Sequence, residues 1–181
     1  MNLENVIPVG HYYVEKKLTE TINPIKSSSN LYNKIVAVST QNDLEKELIE
    51  KIEEIADIKT DTLFIIKTRN NKLIDSKFKN IQICDSDIYS LIKKADLHIS
   101  CYSTVALESS MMGTPTILIN INNMSKLYYS SIIKKFENIR ICDSNNEVLS
   151  VMDDWSPNNT NKNPYILNNR ENIKQFLNNY I

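Results

Sequence analysis

The residues best placed to do chemistry lie in one stretch, Ser100-Cys101-Tyr102-Ser103-Thr104, with Glu108 a few positions further on. Ser103 and Thr104 stand where a helix should begin. Hydroxyls at such a point, with the backbone N–H groups of the first turn, can hold a phosphate. Ser103 is also a good N-cap whatever the ligand, and capping alone explains it. Glu108 lacks that local explanation, because a capping box with Ser103 would need Glu or Gln at position 106, where Ala106 stands. A solvent-facing Glu in a helix is nonetheless common.

Other candidates carry less. Asp85-Ser86-Asp87 matches the D-x-D pattern of metal-dependent transferases, but three-residue matches are frequent by chance and Asp87 is placed to cap a helix. The echo of Ile83-Cys84-Asp85-Ser86 in Ile141-Cys142-Asp143-Ser144 points the same way, to repeated strand-to-helix transitions. The two histidines, His11 and His98, are far apart in sequence. His98 alternates within an apolar strand and reads as structural, while His11 suits either a cleft or an exposed linker. The three cysteines follow apolar runs and include no C-x-x-C pair, so neither a disulfide framework nor a metal site is expected.

These groups need a scaffold, and the hydrophobic pattern supplies one. Order begins at Lys34, where Lys34-Ile35-Val36-Ala37-Val38-Ser39 reads as a strand buried on both faces. Asp43 can cap the helix that follows, Leu44 to about Ala56, with Leu44, Leu48, Ile52 and Ile55 on its apolar face. Further strands are expected at 62–67, 81–84, 96–100, 116–119 and 138–142. Helices alternate with them at 87–94, 103–112, 125–136 and 147–152, and a terminal helix at 168–179 can pack back across the domain. Gly113 suits the left-handed end of the helix that carries Glu108. Residues 1–33 read as a linker or N-terminal extension, and 34–181 as the folded domain. The alternation gives an α/β class: a Rossmann-like, doubly wound, mostly parallel sheet with helices on both faces.

In such a sheet, ligands bind beyond the carboxyl ends of the strands near the switch in strand order. That places Thr40 and Gln41 after the first strand, Lys67 at the end of the second, and Ser103 and Thr104 after the fourth among the candidates. With two glycines, Gly10 and Gly113, the chain has neither G-x-G-x-x-G nor a Walker A loop, which disfavours the usual NAD, FAD and P-loop sites.

The stretch from Ala95-Asp96 through Ser103-Thr104 and Glu108 to Gly113-Thr114-Pro115 resembles the C-terminal domain of GT-B glycosyltransferases and UDP-N-acetylglucosamine 2-epimerases, especially bacterial surface-polysaccharide enzymes. The resemblance covers residues 34–152, and its specific part lies within 95–120. It implies that Ser103 and Thr104 contact a diphosphate and that Glu108 binds the ribose hydroxyls. The segment 85–87 would then lie near the base. Lys67 matches the lysine of a Lys-x-His-Pro motif, but Lys67-Thr68-Arg69-Asn70 lacks the His-Pro, so a surface role fits it as well.

The resemblance therefore implies the donor-nucleotide-binding domain of a glycosyltransferase in surface-polysaccharide synthesis. Its substrate would be a UDP- or CMP/CDP-linked sugar, with no metal and no further cofactor. An N-terminal acceptor domain or a partner subunit would supply the catalytic base, and the isolated chain would be inactive. Half of a UDP-sugar 2-epimerase or hydrolase, or a natural subunit of a split transferase, shares the same signature. A response-regulator receiver would need clustered acids after the first strand, where Ser39-Thr40-Gln41 stands. Net charge is -1, with 21 basic and 22 acidic side chains, which gives no electrostatic footprint for nucleic acid. No apolar run reaches the roughly 20 residues of a membrane span. The N-terminus lacks the pattern of a signal peptide, and a cytoplasmic protein is expected.

Overall fold

The computed structural model describes residues 12–20, 31–69, 76–154 and 169–180. Six strands, β1 (Lys34–Ser39), β2 (Thr62–Lys67), β3 (Ile81–Ile83), β4 (Leu97–Ser100), β5 (Thr116–Ile119) and β6 (Ile139–Cys142), form one sheet in the order β3-β2-β1-β4-β5-β6. Every neighbouring pair is parallel. The order reverses between β1 and β4, where Ala37 pairs with His98. The connections carry α2 (Glu45–Ile58), α3 (Ile88–Ile92), α4 (Thr104–Met111), α5 (Met124–Tyr129) and α6 (Asn145–Asp154), with α1 (Tyr12–Thr19) before the sheet and α7 (Asn169–Tyr180) after it.

Strand side chains alternate between two faces. On one, Val36, Val38, Phe64, Ile66, Ile99 and Ile117 pack against Leu48, Ile52 and Ile55 of α2 and Val148 and Met152 of α6. On the other, Ala37, Leu63 and Ile65 meet Leu91 and Ile92 of α3, while Leu118 and Ile139 meet Ala106 of α4 and Tyr129 of α5. Burying one such Leu or Ile contributes about 1.5–3 kcal/mol, and truncating Ile52 to Ala should cost about 2–5 kcal/mol. The buried Asn80 closes the end of α2: its Nδ2 lies 3.0, 3.1 and 3.2 Å from the carbonyl oxygens of Ala56, Lys59 and Thr62. Carbonyls in a helix's last turn have no partner within the helix, so such a cap removes a burial cost.

Most expected elements form within a residue or two of their expected ends. Gly113 has φ +89°, the left-handed region that favours glycine. The helix expected over 125–136 is instead broken: α5 stops at Tyr129, and a single 3₁₀ turn follows at Ile133–Lys135. Ser130-Ser131 competes with the helical backbone for hydrogen bonds, and the β-branched Ile132-Ile133 adds crowding. The cap expected of Asp43 does not form either. Leu44 is the N-cap of α2, without a side-chain bond, after a turn in which Leu44 N donates to Gln41 O at 3.2 Å. Within the segment read as an extension, α1 forms with Val14 fully buried. Of the residues singled out from sequence, Gly10, His11 and Asn70 lie outside the described residues.

Candidate functional site

The strand order reverses between β1 and β4, the place where ligands bind in open parallel sheets, and the residues at the carboxyl ends of these two strands divide into a floor and a rim. The floor is a buried polar network. Ser39 and Ser100 continue the β1–β4 register, and on the same face His98 lies one pleat below Ser100. Ser39 Oγ is 2.8 Å from His98 Nε2 and donates to Ser100 Oγ at 3.0 Å, and Ser100 Oγ donates to Ser39 O at 2.9 Å. Since the Ser39 proton goes to Ser100, His98 must donate from Nε2, which leaves Nδ1 as an acceptor. Nδ1 has no hydrogen-bond partner. Burial lowers the His98 pKa to about 3, so the ring is neutral.

Two sequence candidates belong to this floor. Gln41 is buried, and its Nε2 donates to Ser100 Oγ at 3.4 Å while Oε1 has no partner. Thr40 is buried as well, with its hydroxyl 2.6 Å from Glu45 Oε2 at the start of α2. Both lie at the tip of β1, with side chains that bond within the protein. Lys67 ends β2, and its carbonyl accepts from Thr40 N at 3.3 Å.

The rim is built on α4. Ser103 is its N-cap, with Oγ accepting from Val105 N at 3.3 Å. Thr104 is exposed at the first helical position, and Glu108 follows four residues later, so the two share a helix face. Glu108 is half-buried, and Tyr89 of α3 donates its hydroxyl to Glu108 Oε2 at 2.7 Å. Burial, and then this bond to a carboxylate, pushes the Tyr89 pKa up. Ser103, Thr104 and Glu108 are thus brought together, and Tyr89 is a neighbour that sequence reasoning missed. Nothing in a lone tyrosine 19 positions away signals it.

A second tyrosine ties the loop after β4 to the loop after β1. Tyr102, after β4, donates to Asp43 after β1 and stacks on Tyr128 of α5 with centroids 5.1 Å apart and planes at 17°. The bond to Asp43 raises the Tyr102 pKa to about 12, with burial adding to it. Beyond β5, Asn120 Nδ2 donates to Asp143 Oδ1 at 2.7 Å, and Lys126 Nζ pairs with Asp143 Oδ2 at 2.5 Å. Those partners hold the Asp143 carboxyl below its usual range. Asn122 and Asn123 take left-handed φ values of 50° and 61°, which asparagine tolerates better than most residues.

The D-x-D segment does not form a metal cluster. Asp87 caps α3, accepting from Ser90 N at 3.3 Å, and pairs with Lys17 at 3.3 Å. Among the described residues no group of three His, Cys, Asp or Glu side chains comes together, and no helix is long and apolar enough to cross a membrane.

Solved structures share this architecture. S. aureus MnaA with UDP superposes with a TM-score of 0.72 at 13% identity, over 98% of this chain and 55% of that one. A protein of Listeria monocytogenes described as a UDP-N-acetylglucosamine 2-epimerase gives 0.66 at 14% identity, over 96% and 54%. The wall teichoic acid polymerase TagF soaked with CDPG gives 0.55 at 16% identity, over 98% and 47%. The chain therefore spans about half the length of these proteins. At such identities the likeness is one of fold, that of one half of a GT-B-type enzyme. No curated protein matches the sequence. A family of sequences does match, over residues 4–130, and by that match the chain belongs to the family described as "Protein of unknown function (DUF354)".

Proposed function

We propose that this chain is the donor-nucleotide-binding half of a GT-B-type glycosyltransferase acting in bacterial surface-polysaccharide synthesis. The observation that carries the reading is the rim: Thr104 exposed at the start of α4 and Glu108 one turn on, beside the strand-order reversal. The diphosphate of a UDP- or CMP/CDP-linked sugar sits at Ser103 and Thr104, where the positive end of the helix dipole favours it. The Glu108 carboxylate accepts from the ribose diol. Contacts that strengthen as the nucleoside diphosphate departs assist glycosyl transfer, and no metal or further cofactor is needed for that. The base and the acceptor site belong to a second domain or a partner subunit. MnaA seen with UDP and TagF seen with CDPG support the ligand class.

The likeness to MnaA supports a second reading, half of a UDP-sugar 2-epimerase or hydrolase. Product analysis with the complementary half present separates the two: a transferred glycosyl group supports the first, an inverted or free sugar the second.

The direct test is calorimetric titration with UDP, CDP, CMP, GDP and NAD, repeated on Glu108→Ala. Selective binding of one pyrimidine nucleotide is expected, weakened at least about tenfold in the variant. Failure of every pyrimidine nucleotide to bind more tightly than about 1 mM, with the complementary half supplied, would sink the donor-site reading.

A further inference from the structure

We propose that Tyr89 is a positioning residue that fixes the Glu108 carboxylate for the ribose diol, and that helix α1 braces it through Lys17 and Tyr13. The inference rests on the donor-site reading, and it adds an element from outside the sheet to the site. A glutamate at the end of three rotatable bonds does not present its oxygens in a fixed direction. Tyr89 reaches it across the gap between α3 and α4 and donates to Oε2 at 2.7 Å. The bond ties one carboxylate oxygen to a phenol carried on a neighbouring helix, which restricts the directions the carboxylate can take.

Tyr89 is itself held. The Tyr13 and Tyr89 rings meet edge to face, with centroids 5.1 Å apart and planes at 74°. Lys17 Nζ lies 5.6 Å from the Tyr13 centroid and 6.0 Å from that of Tyr89. The same ammonium pairs at 3.3 Å with Asp87, the cap of the helix that carries Tyr89. At the other end of α3, Lys93 Nζ donates to the carbonyls of Lys17, Leu18 and Glu20 at 3.0, 2.8 and 3.0 Å, closing the end of α1. Two lysines thus clamp α1 along α3 with the tyrosine pair between them. A tyrosine needed only for packing would use its ring. Here the hydroxyl goes to the one carboxylate assigned to the ligand.

The test compares UDP with 2′-deoxy-UDP by calorimetry on the full chain, as wild type, Tyr89→Phe, Glu108→Ala, the double variant and Lys17→Met. Wild type should prefer UDP by about tenfold. Tyr89→Phe should shrink that preference to about threefold or less, with 2′-deoxy-UDP affinity unchanged and a melting midpoint within about 4 °C of wild type. The double variant should bind UDP no more weakly than Glu108→Ala alone, since the tyrosine acts through the carboxylate. Lys17→Met should reduce the preference in the same direction by a smaller factor. An undiminished preference in Tyr89→Phe overturns the proposal, as does tighter UDP binding, which would make the hydroxyl a competitor of the ligand. If Glu108→Ala keeps the preference, the ribose reading of the site itself fails, an outcome distinct from failure of Tyr89 alone. A wild-type preference in Lys17→Met removes α1 from the device.

Discussion

The loops after β1 and β4 are neighbours at the same edge of the sheet, carry similar residues, and use them in opposite ways. After β1, Thr40 turns to Glu45 and Gln41 to Ser100, both buried. After β4, Ser103 caps α4 while Thr104 and Glu108 stay within reach of solvent. The difference comes from how each helix begins. α2 starts without a side-chain cap, after a tight turn that folds the polar groups back beneath it. Ser103 supplies α4 with its own cap, so the next residues need not turn inward. A polar strand tip therefore becomes floor or rim according to what caps the following helix.

The sharpest way to separate floor from rim is pH. The His98 pKa, about 3 in the folded chain, lies below the unfolded value of about 6.5, so the unfolded chain binds the extra proton between those limits. The stability it contributes is complete above pH 6.5 and is lost as pH falls, at up to about 1.4 kcal/mol per pH unit. Urea denaturation between pH 7 and 5 should show that slope, and His98→Gln should flatten it. An unchanged slope would mean the imidazole finds a partner when charged. Next in size, Glu108→Ala should weaken pyrimidine-nucleotide binding by about 1.5–3 kcal/mol. Its melting midpoint should fall by no more than the few degrees that loss of the Tyr89 bond costs, and a larger loss instead would assign Glu108 to the floor.

Ser103→Ala should cost about 1 kcal/mol of stability through the lost cap, read from chemical denaturation. A paired substitution probes the comparison most finely. Thr40→Val should lower stability by about 0.5–1.5 kcal/mol and leave nucleotide affinity alone, because it strips the hydroxyl from Glu45. Thr104→Val should do the reverse by a similar amount. If both move the same quantity, the two loops are not functionally distinct.

The sheet was legible because β-branched runs such as Lys34–Ser39 and Thr62–Lys67 are long, continuous and bounded by polar residues. α2 was legible from Leu48, Ile52 and Ile55 at helical spacing, and all three are fully buried. Asp87 as a cap and Gly113 as a left-handed stop followed from local backbone needs, and both hold. What escaped depends on distance in sequence. Asp43 looks like a helix cap until Tyr102, 59 residues away, takes its carboxylate. The contact of the Gln41 amide with Ser100 joins residues 59 positions apart. The Tyr89 bond to Glu108 spans two helices, and no periodicity encodes it.

An all-parallel sheet also sets an order of events. Parallel neighbours cannot be joined by a tight hairpin, so every pairing waits for a crossover to be completed. β1 can find β2 early, but its other edge is satisfied only when Leu97, His98 and Ile99 arrive, about sixty residues later. Until then a largely apolar strand has an open edge, in a topology whose distant contacts make folding slow and expose it to aggregation. The pairing that closes this edge is also the one that sets the loops after β1 and β4 side by side. A nucleotide recognised by those loops would therefore bind only chains whose central pairing is complete, and would draw the folding equilibrium toward them.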